Sequence, residues 1–185
     1  SFEHIGKAAA VFNPEKLDWL NAQYIMGSSP ERLAELVMPF LVKDGLLKEG
    51  ETVDIAWLSK AVLTLKERSK TLVELAESMR YYIAEEVEYD EKACKKFLTK
   101  ESLALLVELK DEMASASDFS PSAIESIFKS IVERHGTKLG SLAQPVRVAV
   151  TGGTASPGIF EVLEIVGKDK TIKRLEKAID IIKAL

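Results

Sequence analysis

The sequence is poor in the residues that specialise a chain most sharply. Of 185 residues, one is cysteine (Cys94) and two are histidine (His4 and His135). A single thiol cannot close an internal disulfide, which excludes a disulfide scaffold and suits a reducing, cytoplasmic compartment. So few isolated His and Cys residues do not give the ligand spacing of a zinc site. No local signature around Cys94 marks it as a nucleophile paired with either histidine, and it reads as a small, partly buried helix residue. No apolar run approaches the ~20 residues of a membrane span. Ten glycines and six prolines are ordinary usage, excluding collagen-like and low-complexity chains. Strand patterning is nearly absent. Only Val146-Arg-Val-Ala-Val150 alternates with β-branched residues, and it is short enough to read as helical or irregular. Positive charge is also in the minority, with 25 Lys+Arg against 29 Asp+Glu and a net charge of −4. Taken globally, that balance argues against a polyanionic partner.

What remains is helical patterning. Four prolines follow a cap-type residue: Asn13-Pro14, Ser29-Pro30, Ser120-Pro121 and Ser156-Pro157. An Asn or Ser side chain accepts a bond from a free first-turn N–H, and proline after it lacks an N–H that had no partner anyway. All four therefore predict helix starts. Apolar residues recur at helical spacing. Examples are Leu17, Leu20, Tyr24 and Ile25; Leu33, Leu36, Val37, Phe40 and Leu41; Leu72, Leu75, Met79, Tyr82 and Ile83; and Ile172, Leu175, Ile179 and Ile182. Pro39 interrupts one such run. Gly136 and Gly167 follow others and suit C-terminal caps. The expected class is all-α.

The best internal boundary is the acidic stretch Glu85–Asp90. Residues 1–90 hold 10 Lys+Arg and 16 Asp+Glu, a net of −6, while residues 91–185 hold 15 and 13, a net of +2. The overall acidity belongs to the first half alone. The start, Ser1-Phe2-Glu3-His4, carries neither an initiator Met nor a basic-then-apolar leader and reads as a cut within a longer polypeptide. Two short motifs invite catalytic readings and fail them. His4-Ile5-Gly6 continues with Lys7, with no nucleotide-binding strand before it. Thr151-Gly-Gly-Thr154 lacks the Gly-Lys-Ser/Thr ending of a phosphate loop and reads as a flexible connector.

Three segments go beyond composition: Val11-Phe-Asn-Pro-Glu-Lys-Leu-Asp-Trp-Leu-Asn-Ala-Gln-Tyr-Ile25, Leu139-Gly-Ser-Leu-Ala-Gln-Pro-Val-Arg-Val-Ala-Val-Thr-Gly152, and Ser156-Pro-Gly-Ile-Phe-Glu-Val-Leu-Glu-Ile-Val-Gly167 with the basic helix after it. In this order they resemble the C-terminal part of bacterial glutamyl-tRNA synthetases. The resemblance implies two small helical anticodon-binding subdomains in tandem, over 13–90 and 91–185. Residues 1–12 would be the tail of a connecting stem-contact region. It implies a class I glutamate–tRNA ligase whose upstream catalytic domain, absent here, uses ATP with Mg and L-glutamate. The implied partner is the anticodon loop of tRNA(Glu), bound by a monomer without membrane attachment. This chain alone would have no catalytic residue, cofactor or metal.

The resemblance also implies roles. Arg68, in Ala61-Val-Leu-Thr-Leu-Lys-Glu-Arg68, would read the third anticodon base, although Glu67 departs from the family's frequent proline and Lys66 competes for the assignment. Arg147 and the turn Ser156, Pro157, Gly158, Ile159 and Phe160 would read the first two bases. Lys129 would be a basic position in the preceding helix. Each role has a plainer rival. Arg68 could be a surface arginine, Arg147 a buried structural ion pair, and Ile159 and Phe160 core residues. Lys168, Lys170, Lys173, Arg174 and Lys177 could form a solvated face. The function-level rival is a helical protein–protein interaction module that binds no tRNA.

Overall fold

A computed structural model describes residues 13–185; the expectations placed on residues 1–12 lie outside these. Ten α-helices follow one another with no strand among the described residues: α1 (Pro14–Gly27), α2 (Pro30–Lys43), α3 (Ile55–Leu65), α4 (Leu72–Ile83), α5 (Glu91–Phe97), α6 (Lys100–Ser115), α7 (Pro121–Arg134), α8 (Leu139–Thr151), α9 (Ile159–Val166) and α10 (Lys168–Lys183). A short 3₁₀ turn, Lys66–Arg68, extends α3.

Helix starts follow the sequence chemistry in three of the four Pro-marked positions. Lys16 N donates to Asn13 Oδ1 at 3.2 Å, Arg32 N to Ser29 Oγ at 3.3 Å and Ala123 N to Ser120 Oγ at 3.4 Å. The fourth expectation is corrected. Ser156-Pro157 opens no helix; α9 starts at Ile159 with Gly158 as its cap residue and no side-chain cap bond. Pro157 is instead buried in the preceding loop. The strand-like Val146–Val150 run lies inside α8. Val146, Val148, Ala149 and Val150 are all buried, so packing overrides a modest β preference.

Helices α2, α3 and α4 pack on one another, while α10 lies along α6 and α8 and α7 packs against α6, α8 and α9. Helix α9 reaches across to α3 and α4. One continuous apolar core results, from Leu33, Val37, Leu58 and Met79 through Leu163 to Leu109, Phe128 and Leu175. Helix α1 is the exception. Of its expected inner face only Ile25 is buried, while Leu17, Leu20 and Tyr24 are exposed, Tyr24 by 68%. It packs mainly on the Lys66–Arg68 turn, too small a surface to cover that stripe.

The junction between the earlier and later helices is held by polar bonds. The last carbonyls of a helix have no partner within it and carry its negative dipole end. Lys170 Nζ donates to Tyr82 O at 3.3 Å and Ile83 O at 3.1 Å. Arg174 donates to Tyr81 O at 2.7 Å, Ala84 O at 2.6 Å and Val150 O at 2.7 Å. It thereby joins the ends of α4 and α8. Trp57 Nε1 donates to Ile165 O at 2.9 Å, and Asp90 N to Gly152 O at 2.9 Å. The solvated basic face expected on α10 is realised only in part: Lys173 and Lys177 are exposed, whereas Lys170 and Arg174 are turned onto carbonyls. Lys168 bonds Ala116 O at 2.7 Å and Lys177 pairs with Glu86 at 2.6 Å; of the five cations, only Lys173 has no partner among the described residues.

Candidate nucleic-acid interface

The junction also gathers the candidate readers. Arg68 ends the 3₁₀ turn after α3 and is exposed. Its competitor, Lys66, is already engaged: its ammonium donates to Met26 O at 3.0 Å and Ser28 O at 3.3 Å, closing the end of α1. Arg147 projects from α8 and is half-buried. Its Nη1 donates to Pro157 O at 2.8 Å and to Ser156 Oγ. The Ser156 hydroxyl in turn donates to Pro157 O at 2.9 Å. The Ser156–Pro157 loop is therefore folded onto an arginine and does not cap a helix.

Among the described residues, Arg147 is not half of an ion pair. Neither Arg68 nor Arg147 has a carboxylate within ion-pair distance among the described residues. They lie close enough to affect each other. Burial, and next the positive charge of Arg68, push the Arg147 guanidinium below its ordinary range. Tyr81, in the last turn of α4, sits in the same field. Burial, then the neighbouring Tyr82, raises its phenol well above the usual value, while Arg68 and Arg147 both pull it back. Two cations 79 positions apart, without carboxylate partners among the described residues, thus act on each other electrostatically. A concentration of unneutralised positive charge attracts electron-rich atoms.

The remaining candidates occupy different settings. Ile159 is 6% exposed and belongs to the core, whereas Gly158 is exposed. The Glu161 carboxylate lies against Gly158, where a Cβ would collide with it, so a negative group already sits at the positive end of α9. Phe160 is half-buried, and its ring meets the fully buried Phe128 edge to face with centroids 5.2 Å apart. Lys129 is exposed on α7 and pairs with Glu125 of its own helix at 2.8 Å. No polar contact joins it to Arg68, Arg147 or the 156–160 turn among the described residues.

Tyr81 lies off the apolar stripe of α4, yet it is partly buried and packs against the core. The glycine pair does not cradle phosphate. Gly152, at φ +82°, closes α8 in the left-handed region, and its buried Cα faces the Glu88 carbonyl. No group of three His, Cys, Asp or Glu residues suited to a metal occurs among the described residues. No helix among the described residues is long and apolar enough to cross a membrane. A groove of about 950 Å³, lined by Leu103, Val107 and Ile127 with a rim of Glu108, Asp111 and Glu112, contains none of the candidate readers.

The family described as anticodon binding domain matches residues 32–179. The chain belongs to this family. The anticodon-binding domain is 53% identical over 180 residues to a glutamate–tRNA ligase of Thermodesulfovibrio yellowstonii, covering 97% of this chain and 39% of that protein. With a glutamate–tRNA ligase of Geobacter sulfurreducens the identity is 47% over 180 residues, covering 97% and 38%. The crystal structure of a glutamate–tRNA ligase from Elizabethkingia meningosepticum matches with a TM-score of 0.83 and 28% identity, over 95% of this chain and 34% of that one. The anticodon-binding domain thus spans less than two-fifths of the length of these relatives.

Proposed function

We propose that this anticodon-binding domain is the anticodon-recognition portion of a glutamate–tRNA ligase, cytoplasmic and acting as a monomer. It selects tRNA(Glu) for ATP-dependent glutamylation by a catalytic domain of the same polypeptide. Recognition is divided between a first subdomain over 13–90 and a second over 91–185. The observation that supports this reading is the mutual electrostatic influence of Arg68 and Arg147, one from each proposed subdomain and both without a carboxylate partner among the described residues, in a chain 53% identical to a glutamate–tRNA ligase.

The chemistry suits the task. RNA sequence is read mainly in single-stranded loops, where unstacked bases expose their edges. Arginine's planar fork donates two parallel bonds, a geometry lysine cannot copy. Cytosine offers O2 and N3 as acceptors, whereas guanine presents donors at the equivalent edge. Glutamate and glutamine anticodons differ there, with C against G at the third base. Arg68 is the free fork, since Lys66 is held by α1, so Arg68 reads the third base and prefers C. Arg147, steadied by Ser156 and Pro157, reads the first two bases together with Gly158 and the open edge of Phe160. Pro157 and Ile159 shape the turn from beneath, and Lys129 adds charge toward the backbone.

The test is Arg68→Gln in the intact ligase. A good bidentate base contact contributes about 1–3 kcal/mol of discrimination, so the preference for tRNA with C over G at the third anticodon position should fall roughly 5- to 150-fold. Unchanged selectivity removes Arg68 from the role. Steep weakening of tRNA binding with salt is expected as well, because phosphate contacts release counter-ions. A salt-insensitive interaction that does not distinguish tRNA(Glu) from an unrelated tRNA would favour a protein-binding module instead.

A further inference from the structure

Helix α1 is apolar on more than one side. Leu17, Leu20 and Tyr24, three and four positions apart, share one side of it, and Trp19 and Met26 lie opposite. All five are exposed, Trp19 by 61%. Single exposed apolar residues are normal on any surface, but five on a helix of 14 residues form a patch, and such patches mark interaction sites. A surface helix has one apolar side, turned inward; apolar residues on two opposite sides call for cover from a second direction. The other described residues do not supply it. Of α1, Ile25 is buried against them, and the rest of the contact is largely polar. Asn21 Nδ2 donates to Lys70 O at 2.9 Å, while the Lys66 ammonium holds Met26 O and Ser28 O. These bonds fasten α1 to the turn that carries Arg68.

The anticodon-binding family matches from Arg32 onward, inside the first turn of α2, so α1 lies outside the matched part. The match to the Thermodesulfovibrio yellowstonii ligase nevertheless takes in 97% of this chain, and leaves about three-fifths of that ligase unmatched. Helix α1 is therefore shared with the longer ligases, on the side where the resemblance sets the rest of the polypeptide. Its size favours the same source of cover. The helix is about 21 Å long and 10 Å wide, so one side of it falls well short of the ~800 Å² per partner that a stable free complex buries. A segment of the same polypeptide needs no such area, because covalent linkage keeps it at high effective concentration. We propose that the exposed sides of α1 are the docking surface for the part of the ligase polypeptide outside this chain, and that α1, fastened to the Lys66–Lys70 turn, sets the position of Arg68 relative to that part. The proposal rests on the reading of this chain as a portion of a ligase. It moves the structural boundary from residue 13 to the link Gly27–Ser29 between α1 and α2.

The experiment uses this chain and the intact ligase, each as wild type, Trp19→Gln and Tyr24→Gln, with one substitution on each side of α1. Amide hydrogen exchange of the α1 peptide, measured without RNA, is the first readout. It should be slowed at least about tenfold in the intact ligase relative to this chain, and each substitution should remove much of that slowing. The melting midpoint of this chain should stay within about 2 °C of wild type in both variants, as for exposed sites, and the chain should sediment as a monomer. The second readout is kcat/KM of the intact ligase for tRNA with C or G at the third anticodon position, where both substitutions should narrow the preference about threefold or more. Equal exchange in the two proteins overturns the proposal, because α1 is then bare in both. A variant chain that melts well below wild type overturns it in favour of cover by residues 1–12 of this chain; a wild-type dimer that the substitutions dissociate does so in favour of a second copy. Exchange that responds while the C-over-G ratio does not removes the positioning of Arg68. A wild-type ligase that does not distinguish C from G removes the anticodon reading instead, and the exchange result still decides the docking of α1.

Discussion

Arg174 is 3% exposed and has no ion-pair partner among the described residues, yet it holds three carbonyls from two helix ends. Substituting Arg174→Met keeps most of the apolar stem and deletes the fork. The consequence can be worked from the individual bonds. The bond to Val150 O is fully buried, whereas those to Tyr81 O and Ala84 O are partly buried. A buried carbonyl left without a donor costs about 1–3 kcal/mol, and water reduces that where it can reach. One full penalty and two partial ones come to about 4 kcal/mol. Against this stands relief from burying an unpaired cation, which costs several kcal/mol when uncompensated but here is largely met by its three acceptors. Burial holds this guanidinium below its ordinary range, with Tyr89 and Glu85 acting the other way, which is the sign expected of a cation lacking a close anion. The net expectation is a loss of about 3 kcal/mol. For a chain of this length that lowers the melting midpoint by roughly 6–12 °C.

Urea and thermal unfolding followed by circular dichroism would measure it, with Arg174→Lys alongside. Lysine keeps the charge but presents one donor centre, which cannot span the ends of α4 and α8 together. It should recover less than half of the loss. The reasoning fails if the Met variant lies within about 0.5 kcal/mol of wild type, the range of an ordinary surface change. It also fails if Lys is worse than Met, which would mean that burying the charge dominates the bonds it makes.

Two smaller predictions concern backbone and pH. Gly152→Ala should destabilise by about 2–4 kcal/mol, because Gly152 has φ +82° and an added Cβ meets the Glu88 carbonyl; Gly153→Ala, with open space around its Cα, should change unfolding little. The second prediction concerns Glu108, whose carboxyl is held below its ordinary value chiefly by the bond to His135 and then by Arg134. A depressed acid stabilises the fold above its unfolded-state value, and the effect disappears as pH falls through the folded-state value. Wild type should therefore lose stability between about pH 5 and pH 3 more steeply than Glu108→Gln, and parallel acid-unfolding curves would refute this.

Helix starts were legible where the cap chemistry is local. Asn13, Ser29 and Ser120 need only residues three positions ahead. Ser156 carries the same Ser-Pro signature and fails because Arg147, nine positions earlier, claims its hydroxyl; no local rule anticipates a partner on the preceding helix. The apolar stripes of α2, α4 and α10 were legible for the same local reason, while the stripe of α1 gave no sign of being left uncovered. The cations of α10 show the limit most clearly. Lys170 and Arg174 look like a solvated face because helical spacing says nothing about which carbonyls lie opposite. Their partners are the ends of α4 and α8, some 90 and 24 positions away, visible only once the chain is folded. Arg68 and Arg147 were named through resemblance, and only the fold places them in one field.

That placement gives the junction a consequence beyond stability. On the proposed reading, adjacent anticodon bases meet arginines from different halves of the chain, so the spacing of the two forks is only as fixed as the bonds between the halves. A base contact tolerates about 0.5 Å of displacement before its geometry degrades, whereas attraction to phosphates falls off slowly, over a Debye length of roughly 8–10 Å. Loosening the junction should therefore reduce selectivity before it reduces affinity. In the intact ligase, at a temperature where the variant remains folded, Arg174→Met should narrow the preference for C over G at the third anticodon base while changing tRNA(Glu) affinity by less than about threefold. Lys129→Ala, remote from the arginine pair, should do the opposite: a small, sequence-independent loss of affinity with selectivity intact. Aminoacylation of the two tRNAs, compared by kcat/KM, separates these outcomes. If Arg174→Met weakens binding to both tRNAs equally and leaves their ratio unchanged, the junction is a source of stability only, and the two arginines do not act as one ruler.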